Sequence, residues 1–206
     1  MLRWAVFASG GGSNFQALID RREGGDLQVE LALLIGNNST AFAFERARKY
    51  GIPVLHLAPG RFPDEAAYSG HLLSVLHEHS IDFIALAGYM KKIPPQVVAA
   101  YTNRIVNIHP ALLPAFGGTG LYGEKVHQAV LDSGAKVSGI TIHFVDNDYD
   151  HGPIIYQATV PVLDDDDAHS LAKRVLGVEH ASYWKAVAAV STGRLTVRGR
   201  RVFGNV

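Results

Sequence analysis

The chain has 206 residues, 48% hydrophobic and 18% charged, and its 19 basic and 19 acidic side chains cancel. That length and balance fit one globular domain with a full core and argue against a surface built to bind nucleic acid or another polyanion. The lack of cysteine excludes disulfide staples and thiolate chemistry, and without an apolar run of about 20 residues or a signal-peptide core a cytoplasmic protein is expected.

Residues 2–9 form a nearly continuous apolar run closed by Gly10, Gly11 and Gly12, as a strand buried on both faces would. Residues 13–22 read as a helix with Phe15, Leu18 and Ile19 on one stripe, and Ser13 with Gln16 fits a capping box. Residues 29–35 are a second buried strand, 41–50 a helix stopped by Gly51, and 54–57 a strand opened by Pro53. An amphipathic helix follows over 64–79, then a strand over 83–87, a short helix from Pro94-Pro95 to Tyr101, and a strand over 105–108. Strands alternating with crossover helices predict an α/β fold, a mostly parallel twisted sheet with helices on both faces. Beyond Pro114 the pattern changes. Residues 115–125 are a glycine-rich loop, 126–131 a short helix, and 137–145 with 154–160 two strands joined by a turn, hence an antiparallel addition to the sheet. A long helix over 168–190, preceded by a capping run of Asp164 to Asp167, and a terminal hairpin over 195–206 complete the chain.

Three places carry chemistry. Gly10-Gly11-Gly12-Ser13-Asn14 joins a strand to a helix start, where backbone N–H groups attract a phosphate. Phe15 stands where a dinucleotide fingerprint needs glycine, Gly36-Asn37-Asn38 offers no ribose acid, and no lysine follows as in a nucleotide P-loop, so a monophosphate is the favoured guest. Asn107 and His109 are two apart on a strand and point the same way, while Val106 and Ile108 point the other way. The turn Asp146-Asn147-Asp148-Tyr149-Asp150-His151-Gly152-Pro153 can bring an aspartate to His109, favouring its imidazolium; Asp150, pinned by Gly-Pro, is preferred over Asp148. His143 reads as a satisfied core histidine, and His71, His77 and His79 as surface residues without zinc spacing.

Asn107-x-His109-Pro110-Ala111-Leu112-Leu113-Pro114 with a later Asp150-x-Gly-Pro resembles the folate-dependent formyltransferase family, and Ser9 to Asn14, Ala87-Gly88-Tyr89-Met90-Lys91 and Glu179-His180 add to the match. The resemblance spans nearly the whole chain and implies a Rossmann-like domain over 1–206, with a phosphate-binding half to about 100 and a catalytic, folate-binding half from about 101. It implies formyl transfer from 10-formyltetrahydrofolate to the amine of glycinamide ribonucleotide in purine synthesis, without a metal, a membrane or nucleic acid, by a monomer or homodimer. Carried over by position, Asn107, His109 and Asp150 are catalytic, Gly11, Gly12, Ser13, Asn14 and Glu179 hold the ribonucleotide, and Tyr89, Met90, Lys91, Lys92, Ile93, Asn107, Asp146 and Asp150 line the folate site. In that reading Asn107 and a protonated His109 stabilise the growing oxyanion. The alternatives are a formyltetrahydrofolate hydrolase and a phosphosugar-binding module without catalysis.

Overall fold

Trp4 to Ala8 are all at most 1% exposed, which only a strand covered on both faces achieves, and this strand, β1 (Arg3–Ala8), organises the first half of the chain. The computed structural model describes residues 1–206 and divides into two units, Met1–Val106 and Asn107–Val206.

In the first unit, β1 is followed by α1 (Ser13–Glu23), β2 (Glu30–Gly36), α2 (Ala43–Lys49), β3 (Val54–His56), a 3₁₀ turn at Pro59–Arg61, α3 (Glu65–Glu78), β4 (Phe83–Leu86), α4 (Pro95–Ala100) and the start of β5 (Ile105–His109). Its strand order is β3-β2-β1-β4-β5, and β1 pairs in parallel with both β2 and β4. Parallel neighbours need crossover connections, and helices make them here. The expected elements are present with ends shifted by one or two residues. One local expectation fails: α1 is capped by Gly12, not Ser13, with no side-chain cap, so Ser13 and Gln16 form no capping box. Gly12 has a φ of 69°, and an added Cβ there would lie 2.7 Å from Ala43 Cβ. Glycine therefore satisfies both the backbone and the packing where serine would have to cap from one position later.

The second unit takes up the end of β5, then α5 (Glu124–Asp132), β6 (Val137–Phe144), β7 (Ile154–Pro161), α6 (Ala168–Ser191), β8 (Thr196–Arg198) and β9 (Arg201–Phe203), with strand order β5-β6-β7-β9-β8. β6 and β7 are antiparallel, as two strands without an intervening helix require, with an irregularity between Ile142 and His143. β8 and β9 form the terminal hairpin, and β9 joins β7 in parallel at Ile154 and Arg201. The acidic run before α6 does cap it: Asp167 accepts from Ser170 N at 2.7 Å, and Asp166 holds Arg174 through contacts of 2.6 and 2.8 Å. No helix is long and apolar enough to cross a membrane.

Gly139 on β6 sits where a Cβ would come within 2.0 Å of the Ala158 carbonyl oxygen and 2.9 Å of Leu112. Gly139→Ala is expected to lower the urea midpoint by an amount equivalent to about 1–3 kcal/mol. An unchanged midpoint would mean that the β6–β7 pair yields without cost.

Candidate active site

Ile105, Val106 and Ile108 are β-branched and buried, which fixes β5 as a central strand and sends Asn107 and His109 to one side. The chain beyond His109 is held by one hydroxyl. Thr141 Oγ1 donates to the Ala111 carbonyl at 2.7 Å and accepts from Leu113 N and from Gln157 Nε2, both at 2.9 Å. Gln157 Nε2 also reaches the Leu113 carbonyl at 3.0 Å, and the Leu113–Pro114 peptide is cis. The proline-rich exit from β5 is thus tied to β6 and β7.

Asp150 meets His109 here. Its Oδ1 is 3.4 Å from His109 Nδ1 and 3.8 Å from His143 Nε2, and its Oδ2 accepts the Gly118 N–H at 2.9 Å. His109 Nε2 in turn donates to the Phe116 carbonyl at 2.9 Å. Two residues adopt left-handed backbone to make this possible, Asp150 at φ 54° and Phe116 at φ 53°. Such conformations cost about 1–3 kcal/mol each and persist only where surrounding contacts impose them. Gly117 lets the loop press on the carboxylate, because a Cβ there would lie 2.4 Å from Leu113 Cδ2 and 3.1 Å from Asp150 Cβ. Residues 116–118, expected only as part of a glycine-rich loop, supply the two backbone groups that hold His109 and Asp150.

His143 is the member that sequence reasoning missed. It is buried, as a core histidine should be, but its Nδ1 donates to its neighbour's carbonyl, Phe144 O, at 2.8 Å. That leaves Nε2 of the neutral ring as an acceptor, and Asn107 Nδ2 donates to it at 3.1 Å. The bond sets which way the Asn107 amide faces, with one N–H on His143. Alternation along β6 puts His143 on a defined face, and only the β5–β6 neighbour relation would have paired it with Asn107.

Burial pushes the His109 imidazolium below the ordinary histidine range; the Asp150 carboxylate and the Phe116 carbonyl oppose this, and His143 reinforces it. Asp150 is held below the usual carboxylate range: burial acts to raise it, but the neighbouring His143 and His109 rings and the Gly118 N–H outweigh that. At His109 desolvation thus exceeds the pull of one aspartate, although both ring nitrogens face acceptors. His127 on α5 is buried too, its Nδ1 without a hydrogen-bond partner, and burial followed by the neighbouring His109 depresses its protonation.

The other candidates sit as follows. In the first unit Ser13 and Asn14 open α1, Gly11 O accepts from Arg46 Nε at 2.8 Å, and Arg46 Nη1 reaches Gln16 Oε1 at 3.0 Å, so a cation that sequence reading passed over lies beside the glycine loop. Tyr89 and Ile93 are core side chains, the Tyr89 hydroxyl lying 3.2 Å from that of Tyr68, while Met90, Lys91 and Lys92 are exposed. Lys91 also lines an open cavity of about 690 Å³ with Ser9, Asn37, Asn38, His56 and Pro59. In the second unit Glu179 is buried on α6, one turn from Tyr183, and Asp146 is engaged by Asp148 N at 3.0 Å and by His151 Nδ1 at 2.9 Å. Asp148 is exposed, so Asp150 is the carboxylate of that turn that reaches His109.

A family model described as formyl transferase matches residues 2–187. The chain is 48% identical over 195 residues to the chloroplastic phosphoribosylglycinamide formyltransferase of Arabidopsis thaliana, covering 94% of this chain and 67% of that protein. It is 38% identical over 183 residues to the phosphoribosylglycinamide formyltransferase of Bacillus subtilis, covering 89% and 91%. Among solved structures it resembles glycinamide ribonucleotide transformylase 1 from Symbiobacterium toebii, with a TM-score of 0.94 and 40% identity over 100% of this chain and 95% of that one.

The electrostatic balance gives a direct test by NMR titration. The His109 midpoint is expected below about 6.5, and Asp150→Asn is expected to lower it further, since the carboxylate is what supports the proton. With the folded value depressed, this group's share of stability is present above about 6.5 and is lost as pH falls from there through the folded value. A midpoint at or above the ordinary value would contradict the assigned balance.

Proposed function

Because the chain belongs to the formyl transferase family, we propose that it moves the formyl group of 10-formyltetrahydrofolate onto the amine of glycinamide ribonucleotide, with Asn107, His109 and Asp150 surrounding the reacting carbon. The observation that carries this reading is the convergence of Asp150, His109 and an oriented Asn107 in one half-buried cluster. The activities for which the relatives are named supply the substrate class.

The proton balance explains why such a pair is useful. The amine nitrogen forms a bond to the formyl carbon as the bond to N10 of the folate breaks. One proton leaves the amine, and one must arrive at N10. Neutral His109, with Nε2–H on the Phe116 carbonyl and Nδ1 facing Asp150, can take up a proton that the carboxylate then helps to retain. Asp150 and His109 thus act as one acceptor that later returns the proton to N10. Asn107 serves a different need. Negative charge grows on the formyl oxygen, and an amide N–H fixed in direction by His143 stabilises it without reorganising. Each donor of this kind contributes about 3–4 kcal/mol to lowering the barrier. His143 is a positioning residue in this scheme.

In the same reading, Gly11, Gly12, Ser13 and Asn14 bind the ribonucleotide phosphate through the uncapped start of α1, and Glu179 holds the sugar or glycinamide end. Tyr89 and Ile93 anchor in the core the segment from which Met90, Lys91 and Lys92 meet the folate, and Asp146 and Asp150 close the pterin side.

Purified protein is expected to consume 10-formyltetrahydrofolate only when glycinamide ribonucleotide is present. Formyl loss at the same rate in a water-only control would assign a hydrolase instead. Asn107→Ala and Asp150→Asn are each expected to cut turnover by ~10²–10⁴ with smaller changes in substrate binding, and near-normal turnover would remove that residue from the scheme. Ser13→Asp should raise the Michaelis constant for the ribonucleotide by like-charge repulsion; an unaltered constant would place the phosphate elsewhere.

A further inference from the structure

The terminal hairpin reaches the loop that carries Asp150. Arg200 lies in the two-residue turn between β8 and β9, after Gly199 at φ 59°. Its Nη2 donates to the His151 carbonyl at 2.6 Å, and its Nη1 stands 2.7 Å from His151 Nε2 and 3.0 Å from Nδ1. The same imidazole is held by Asp146 through the 2.9 Å contact to Nδ1, and the other oxygen of Asp146 accepts the Asp148 N–H. A guanidinium, an imidazole and a carboxylate therefore close the segment 146–151 on itself. Gly152 completes the seat, since a Cβ there would fall 1.9 Å from the Phe144 carbonyl oxygen.

The contacts made by Arg200 and His151 are exposed, where such interactions contribute little to global stability. Their effect is local. Asp150 is the neighbour of His151 and sits in left-handed backbone, a conformation that a non-glycine residue leaves when its restraints are released. On the other side of Asp150 the Gly118 N–H fixes the carboxylate, but nothing in that bond fixes the backbone of residues 151 and 152. Arg200 does so, and its planar fork can engage a carbonyl and a ring at once, which an ammonium cannot.

We propose that Arg200 is a positioning residue for formyl transfer: by clamping His151 it holds the Asp150 carboxylate against His109 and His143. This rests on the catalytic reading of Asp150 given above. The hairpin is thereby part of the working site and not only an added edge to the sheet.

The test compares Arg200→Ala with Arg201→Ala, a charge-matched control whose guanidinium lies over the Phe203 ring, 4.8 Å from its centroid. Arg200→Ala is expected to lower kcat about tenfold, as displacing a catalytic group by a fraction of an ångström does, with the Michaelis constant for the ribonucleotide and the melting temperature unchanged. Arg201→Ala should keep full kcat. Without substrates, amide hydrogen exchange over residues 146–151 should accelerate in Arg200→Ala alone. Equal kcat in the two variants, wild-type kcat in Arg200→Lys, a loss that tracks a fall in melting temperature, or unchanged exchange would each overturn the clamp. If the wild-type protein transfers no formyl group, the catalytic reading fails, while the exchange measurement still decides whether Arg200 holds the loop.

Discussion

A carboxylate with two imidazoles at its edge is costly to bury, and the second unit is arranged around meeting that cost for Asp150. An unpaired buried charge costs about 3–5 kcal/mol, so Oδ2 takes the Gly118 N–H while Oδ1 faces His109 and His143. Each of those partners needs its own support. Gly117 must be glycine for the loop to approach, Phe116 must turn left-handed to offer its carbonyl to His109, and Asp150 must do the same to aim its side chain. Backbone strain at two non-glycine residues is thus the local expense of one ionised acid beside a neutral base.

The two histidines have divided roles. His109 faces acceptors at both nitrogens, Phe116 O and Asp150 Oδ1, while burial is the chief influence against its charged form. It is therefore poised to gain a proton that its surroundings then stabilise. His143 is committed at Nδ1 to a backbone carbonyl and at Nε2 to Asn107, which makes it a fixed acceptor that turns the asparagine amide. In the proposed reaction one ring takes up a proton, and the other orients a donor. The His143 assignment follows from hydrogen-bond valence at named atoms.

Much of this was legible in the residues. Alternating strands and helices, the change of pattern after Pro114 and the same-side projection of Asn107 and His109 follow from periodicity, and the spatial pairing of His109 with Asp150 agrees with the choice of Asp150 over Asp148. Three things were not legible, for physical reasons. Ser13 looked like a cap, but Gly12 lies against Ala43, and that close approach depends on a distant helix. His143 looked like a core residue, because burial and function coincide in it and its partner lies 36 residues away. The protonation of His109 could not be read from an adjacent aspartate, since desolvation depends on the whole surrounding fold and here outweighs the charge. The glycine-rich loop likewise hid its role: Phe116 and Gly118 act through backbone groups, which carry no side-chain signature.

The central claim is that His109 and Asp150 work as one proton acceptor. A double-mutant cycle on turnover, comparing His109→Asn, Asp150→Asn and the combination, tests it most directly. Residues that act as a unit should be strongly non-additive, so the double variant is expected to be no more than a few-fold slower than the slower single one. Losses that multiply across the two positions would show independent roles and contradict the account.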